Sequence, residues 1–293
     1  MGMLQQVHGK KLGVSKLLAL SALATVAIAG IGQTTRAALV ASDNAGNSTY
    51  SSGWSNGSNS LNSGFGSWSL TATGPNAGFF IGSSTDNDNG NLLPAGDAAD
   101  INTPDNSTGN AWGMYANSGS LATATRDFTG GDLGVGQSFS LAFDNGNIQT
   151  GSSDTLSLLD SSGSTTLFQF GFAGGMSDYF CTDAGSTAAD TGVGFTYFGL
   201  DTVFTLTTAS TYSFTITPID TAISAKTITG TINDSIAGFQ AVDDNAGSGS
   251  GSNFYINSVA VSAVPIPATL GLVLAGGLGL AVMRLNNRRR LKA

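Results

Sequence analysis

Few side chains in this sequence can do covalent or acid–base chemistry. The one histidine is His8, the one cysteine is Cys181, and glutamate is absent, so all 19 acidic residues are aspartates. His8 lies in a segment that reads as a leader. The remainder then has no Ser–His–Asp triad, no Cys–His pair and no histidine-bearing zinc site. Two aspartates would suffice for glycoside hydrolysis, yet no pair is marked out by apolar surroundings. Asp178 before Tyr179-Phe180 and Asp127 before Phe128 come nearest. Arg126-Asp127 reads as a structural charge pair at a strand end. No glycine loop leads into a helix, so no phosphate cradle is expected. The expectation is a protein that is not an enzyme.

Two non-covalent chemistries remain. In Asp86-Asn87-Asp88-Asn89-Gly90, oxygen ligands alternate and a glycine follows, the start of a calcium loop without its closing glutamate. Asp86 and Asp88 are the candidate metal ligands, with a solvated turn as the alternative; no other cofactor is expected. Aromatic side chains are spaced through Ser-, Asn- and Gly-rich sequence from Tyr50 onward. Trp54, Trp68, Trp112 and Tyr115 form a candidate stacking platform for the rings of an extracellular polysaccharide. Packing in the core or at an edge is the competing use.

The elements that position these residues read as strands. Gly, Ser, Thr, Asn and Asp dominate and glutamate is missing, which favours turns and strands over helices. The 16 Phe, 6 Tyr and 3 Trp supply the large apolar groups a core needs. Period-2 alternation predicts strands at 67–73, 77–81, 111–116, 121–128, 138–143, 155–159, 166–172, 179–181, 194–197, 203–208, 211–217, 227–232, 238–242 and 254–261. Asp144-Asn145-Gly146-Asn147 predicts a hairpin between two of them. Asp43-Asn44-Ala45-Gly46 recurs as Asp244-Asn245-Ala246-Gly247, which places the first and last strands side by side. The fold class expected is all-β: a single jelly-roll-like β-sandwich over residues 38–263, flanked by an amino-terminal signal helix and a carboxy-terminal transmembrane helix. With one cysteine, no internal disulfide can form. Cys181 is either a buried thiol or the link in a dimer. By pattern and composition, the body resembles the concanavalin-type and laminin-G-type sandwiches of secreted proteins.

Both ends carry addressing signals. Lys10, Lys11 and Lys16 precede the apolar run Leu17–Gly32, and Thr35-Arg36-Ala37 offers a small-x-small cleavage site. Residues 1–37 therefore read as a signal peptide, with a retained anchor as the alternative. At the other end, residues 266–283 carry no charge, and an 18-residue helix spans about 27 Å, close to a bilayer's hydrocarbon core. The basic tail 284–293 follows, with Arg284, Arg288, Arg289 and Arg290, which resist crossing lipid and stay cytoplasmic. Between body and span stands Val264-Pro265-Ile266-Pro267-Ala268, whose prolines keep it extended and accessible. This order of proline motif, apolar span and arginine cluster resembles the PEP-CTERM family of exosortase-sorted proteins, in its VPxPA-like form. The usual glutamate between the prolines is Ile266 here. The resemblance covers residues 264–293. It implies an exosortase-like processing enzyme as partner, cleavage near the prolines, an inner-membrane intermediate held by the carboxy-terminal helix, and release to the cell surface or extracellular matrix. A permanent anchor is the alternative.

Between the two ends, Arg126 and Lys226 are the sole cationic residues, set against all 19 aspartates. That balance disfavours nucleic acid and anionic lipid as partners. An acidic surface or matrix protein and a glycan-binding module are the two functional expectations.

Overall fold

The alternation of apolar and hydroxyl side chains shows in the register of the hairpins it builds. Phe204 faces Phe214 and Leu206 faces Tyr212 across one strand pair, with Thr205 opposite Ser213 on the other face. The computed structural model describes residues 38–91, 100–101, 109–117, 119–184, 186 and 188–263. The signal segment 1–37, the sorting motif, the expected span and the basic tail lie outside the described residues.

Fifteen strands are described: β1 (Ala38–Asp43), β2 (Ser69–Thr73), β3 (Ala77–Gly82), β4 (Ala111–Ala116), β5 (Leu121–Asp127), β6 (Gln137–Asn145), β7 (Ser153–Leu159), β8 (Thr166–Ala173), β9 (Asp178–Asp183), β10 (Ala189–Gly194), β11 (Leu200–Leu206), β12 (Thr211–Pro218), β13 (Lys226–Thr231), β14 (Gly238–Asp244) and β15 (Phe254–Ala263). They form two antiparallel sheets, and the fold is an all-β sandwich. One sheet runs β13-β12-β11-β6-β15-β4-β3, with β1 also on β15; the other runs β10-β9-β8-β7-β14-β5-β2.

β15 organises the first sheet. One edge pairs with β6, while the other pairs first with β4 through Phe254–Ile256 and then with β1 through Val259–Ala263. The change of partner falls at a bulge where Ser258 has φ of +51°. First and last described strands are thus neighbours, as expected, although the second Asp-Asn-Ala-Gly starts at the end of β14 in the opposite sheet.

Two expectations need correction. Asp144-Asn145-Gly146-Asn147 makes no hairpin, because β6 and β7 belong to different sheets and the segment crosses between them. A Cβ on Gly146 would run into the Gly251 carbonyl, so the crossing needs glycine there. The strand predicted at 194–197 lies one segment earlier, as β10. Beyond it the Thr196 hydroxyl accepts from Phe198 N–H at 3.1 Å, a local bond that competes with ladder pairing.

The inner faces meet in a dense aromatic core. Phe168 lies 4.8–5.1 Å, centroid to centroid, from Phe204, Tyr212 and Phe214. Phe143 lies 4.7 Å from Phe254 and 5.2 Å from Phe170. Rings of this size each bury about 150–250 Å², and they do so without a disulfide staple.

Candidate functional site

Three of the four stacking candidates lie in the core. Trp54, Trp68 and Trp112 are 4%, 1% and 0% exposed. Trp54 meets Trp68 and Phe79 edge-on at 5.0 and 5.3 Å, and Trp68 meets Trp112 at 5.2 Å. Rings enclosed on both faces cannot stack on a sugar, so the platform read from their spacing is corrected to packing. The segment between β1 and β2 carries Tyr50, Trp54 and Phe65 inward to join the main core.

Tyr115 is different: it is 37% exposed on β4, on the outer face of its sheet. Its ring lies across Gly78, where a Cβ would come within 2.7 Å of the phenolic oxygen. Phe80 covers Gly113 in the same way, 6.3 Å from Tyr115 and 5.6 Å from Tyr255. Glycines on β3 and β4 thus give these rings a flat bed, leaving Tyr115 one face toward solvent.

Arg126 does not pair with Asp127, which is exposed. It forms a fully buried ion pair with Asp43 at 2.8 Å. Its Nε–H donates to Gly66 O at 2.9 Å and its Nη2–H to Asn59 Oδ1 at 2.5 Å. The guanidinium lies 4.7 Å from the Trp68 ring centre and 5.1 Å from that of Phe65. Asp43 also accepts from Tyr50 O–H, Asn47 Nδ2–H and Asn44 N–H. Burial, then the bond to Asp43, pushes the Tyr50 phenol up. Every polar atom of this group is matched, and its work is to tie the 43–68 segment to β5.

A second set of buried acids is not matched. The sequence Asp86-Asn87-Asp88 forms the end of a 3-10 turn, Ser84–Asn87, and its continuation. Asp86 stays exposed, so of the two metal candidates only Asp88 turns inward. Asn87 is fully buried; its Nδ2–H donates to Asn253 O at 3.0 Å, while its Oδ1 has no partner. Asp88 Oδ1, Asp100 Oδ2 and both oxygens of Asp144 are likewise buried without a partner. Burial, and then the charges of Asp100 and Asp86, push Asp88 up to about 7. Burial pushes Asp100 up to about 6 against a bond from Ile101 N–H. Burial, then Asp100 and Asp88, holds Asp144 well above the carboxylate range. Around them, Ile101, Ala111, Ala142 and Tyr255 make a small apolar cluster apart from the main core.

Across β7 and β14, Asp154 faces Asp243 in register. Both oxygens of Asp154 and Oδ2 of Asp243 are buried and unpartnered. Burial, then Asp243, raises Asp154; burial raises Asp243 to about 7. Asp100, Asp144, Asp154 and Asp243 all escaped the sequence reading, which treated aspartate as a turn residue. A signal exists for two of them. Asp154 is in phase with Leu156 and Leu158, and Asp243 with Phe239 and Ala241, so the alternation itself carries them inward. Among the described residues, no group of three or more acidic, cysteine or histidine side chains is set around one point for a metal ion.

A shallow cleft lined by Val40, Ala41, Gly64, Phe128 and Val261 has a volume of about 20 Å³, room for one water molecule.

No family model matches the chain, and no curated protein matches it. Among solved structures it is similar to protein SO2946 from Shewanella oneidensis MR-1, described as of unknown function. That match has 13% identity and a TM-score of 0.41, over 88% of this chain and 97% of the other. It is also similar to domain 4 of AbnA, an extracellular arabinanase from Geobacillus stearothermophilus solved with arabinotriose, at 13% identity and TM-score 0.38 over 79% and 96%. The globular domain of T. cruzi calreticulin matches at 10% identity and TM-score 0.37 over 73% and 95%. Likenesses this loose bear on neither ligand nor activity.

Proposed function

We propose that this is a non-enzymatic, exported surface or extracellular-matrix protein, sorted by an exosortase-type system through residues 264–293. One observation carries the reading: an apolar run stands between Val264-Pro265-Ile266-Pro267-Ala268 and the cluster Arg284, Arg288, Arg289 and Arg290, behind an acidic body. The arginines oppose passage through lipid, and the prolines disfavour a helix at the motif, which suits a processing site. A sandwich rich in acidic side chains and aromatic packing suits a solvated outer surface, where like charge keeps copies apart. Mass spectrometry of both ends of the protein from cells tests the reading. A chain ending between Val264 and Pro267 supports sorting, and a mature form ending at Ala293 overturns it in favour of a permanent anchor.

Glycan binding is the second reading, and it rests on Tyr115. This ring alone among the four candidates turns a face to solvent, with Phe80 and Tyr255 supporting the shelf beside it. Pull-down on a panel of polysaccharides, with calcium or with EDTA, tests it. Retention on one polymer that Tyr115→Ala abolishes supports a sugar-stacking face. Retention unchanged in Tyr115→Ala, or none on any polymer, sinks it. Trp54→Ala, by contrast, removes a core ring and costs about 3–5 kcal/mol in folding.

A further inference from the structure

We propose that Asn87, Asp88, Asp100 and Asp144 form a buried site for a divalent cation of the calcium type, closed by the segments around the 3-10 turn and the end of β6. This goes beyond the export reading and does not depend on it.

Four side chains from three separate parts of the chain carry five buried, unpartnered oxygens: Asn87 Oδ1, Asp88 Oδ1, Asp100 Oδ2, and Oδ1 and Oδ2 of Asp144. Their closeness is fixed by packing. A Cβ on Gly146 would stand 3.1 Å from Asn87 Cβ, and one on Gly199 would stand 3.0 Å from Asp144 Cβ while striking Ile101, the neighbour of Asp100. Asp144 lies opposite Tyr255 in the β6–β15 register. Asp100 adds to the upward shift of Asp88, and Asp100 and Asp88 add to that of Asp144, which agrees with this grouping.

Buried carboxylates need compensation, since an isolated charge is very costly out of water. The described residues have none to give here. Of the two cationic residues between the chain's ends, Arg126 is committed to Asp43, and Lys226 lies exposed on β13. Compensation must come from protons or from a cation. Protons would neutralise the acids, each giving one O–H donor to at most one neighbouring oxygen. A cation that drew these groups together would serve several oxygens at once. An all-oxygen set selects a hard ion, and calcium accepts six to eight oxygens in irregular arrangements. The three carboxylates do not converge on one point as they stand. Asp88 and Asp100 sit on turns, so binding would draw them toward Asp144, which its strand holds in place.

Terbium luminescence tests the site in the full chain held in mild detergent, because Tyr255 beside Asp144 can sensitise a bound ion. The expected result is saturable emission that excess calcium abolishes, with a thermal midpoint that calcium raises and EDTA returns. Asp144→Asn keeps the side chain's shape and removes a buried charge; it should fold, with emission lowered at least tenfold and the calcium response lost. Asp132→Asn, an exposed acid elsewhere, should change neither. Emission or a calcium shift that survives in both Asp144→Asn and Asp100→Asn would place the ion on surface acids and overturn the proposal. A midpoint unmoved by calcium and no terbium signal would mean that the acids are simply protonated, which also overturns it.

Discussion

Replacing Arg126 by methionine should cost this protein a large share of its stability. Arg126 is fully buried, paired with Asp43 at 2.8 Å, and bonded to Gly66 O and Asn59 Oδ1. Methionine keeps much of the stem's volume against Phe65 and Trp68 but leaves the Asp43 carboxylate without its counter-charge. Removing one partner of a buried pair costs about 3–5 kcal/mol. Whole domains are stable by about 5–15 kcal/mol, so about a fifth or more is at stake. For a unit the size of Ala38–Val264, each kcal/mol moves the thermal midpoint by about 2–4 °C, and the expected drop is about 6–20 °C. Asp43→Asn should lose somewhat less, because the guanidinium keeps its bonds to Gly66 and Asn59.

The assay is urea unfolding of the full chain in mild detergent, followed by tryptophan fluorescence. Trp68 lies 4.7 Å from the guanidinium and reports on the site directly. The loss should be nearly the same at about 0.1 M and 1 M salt, since buried pairs are poorly screened. A double replacement, Asp43→Leu with Arg126→Met, should recover part of the loss, because neither charge is then stranded. A loss under about 1 kcal/mol, or one that fades with salt, is the behaviour of a surface pair and would refute the reasoning.

Two further outcomes follow from the buried groups. Burial raises Asp243 to about 7 and lifts Asp154 in the same direction, so the folded chain holds these protons more tightly than the unfolded one. Their stabilisation is then full below the unfolded carboxylate pKa of about 3.9 and is lost as pH climbs through about 7. Thermal midpoints in EDTA should fall across that window and flatten in Asp243→Asn; a midpoint that rises there contradicts the sign. Burial, then Asp183, raises the Cys181 thiol; iodoacetamide at pH 8 should leave the native chain unmodified and label it in urea, with no disulfide dimer on oxidation. Stoichiometric labelling of the native protein would contradict its burial.

Most of the strands were legible because their periodicity is local. Phe168, Phe170 and Phe172 announce an inward face by sequence alone, as do Tyr212, Phe214 and Ile216, and the sandwich carries all of them inward. What alternation could not convey was partnership. Asp144-Asn145-Gly146-Asn147 is a true turn signal, but nothing local to it says that β7 joins the opposite sheet. The aromatic spacing from Tyr50 to Trp68 was visible, yet exposure is a property of the whole fold: only assembly hides Trp54, Trp68 and Trp112 and leaves Tyr115 open. The acids show the same divide. Asp88 stood out because it lies in a short motif with Asp86. Asp100 and Asp144 join it through contacts between residues far apart in sequence, which no window of the chain contains.

Asp43 and Asp144 make the physical distinction sharpest. Both are aspartates at strand ends, both are buried, and neither is reached by solvent. Asp43 receives Arg126, Tyr50, Asn47 and Asn44, one donor or more for each oxygen. Asp144 has no such set of donors: both its oxygens are unmatched, with the Asn87 amide near enough to favour its charge only weakly against burial. The same replacement by asparagine should therefore have opposite signs in EDTA. Asp43→Asn strands a guanidinium and lowers stability by several kcal/mol. Asp144→Asn removes an uncompensated carboxylate and should leave the thermal midpoint unchanged or higher at pH 8, where the penalty for ionising it is greatest. If both variants lose stability alike, Asp144 has a partner inside the chain, and its oxygens do not wait for one from solvent.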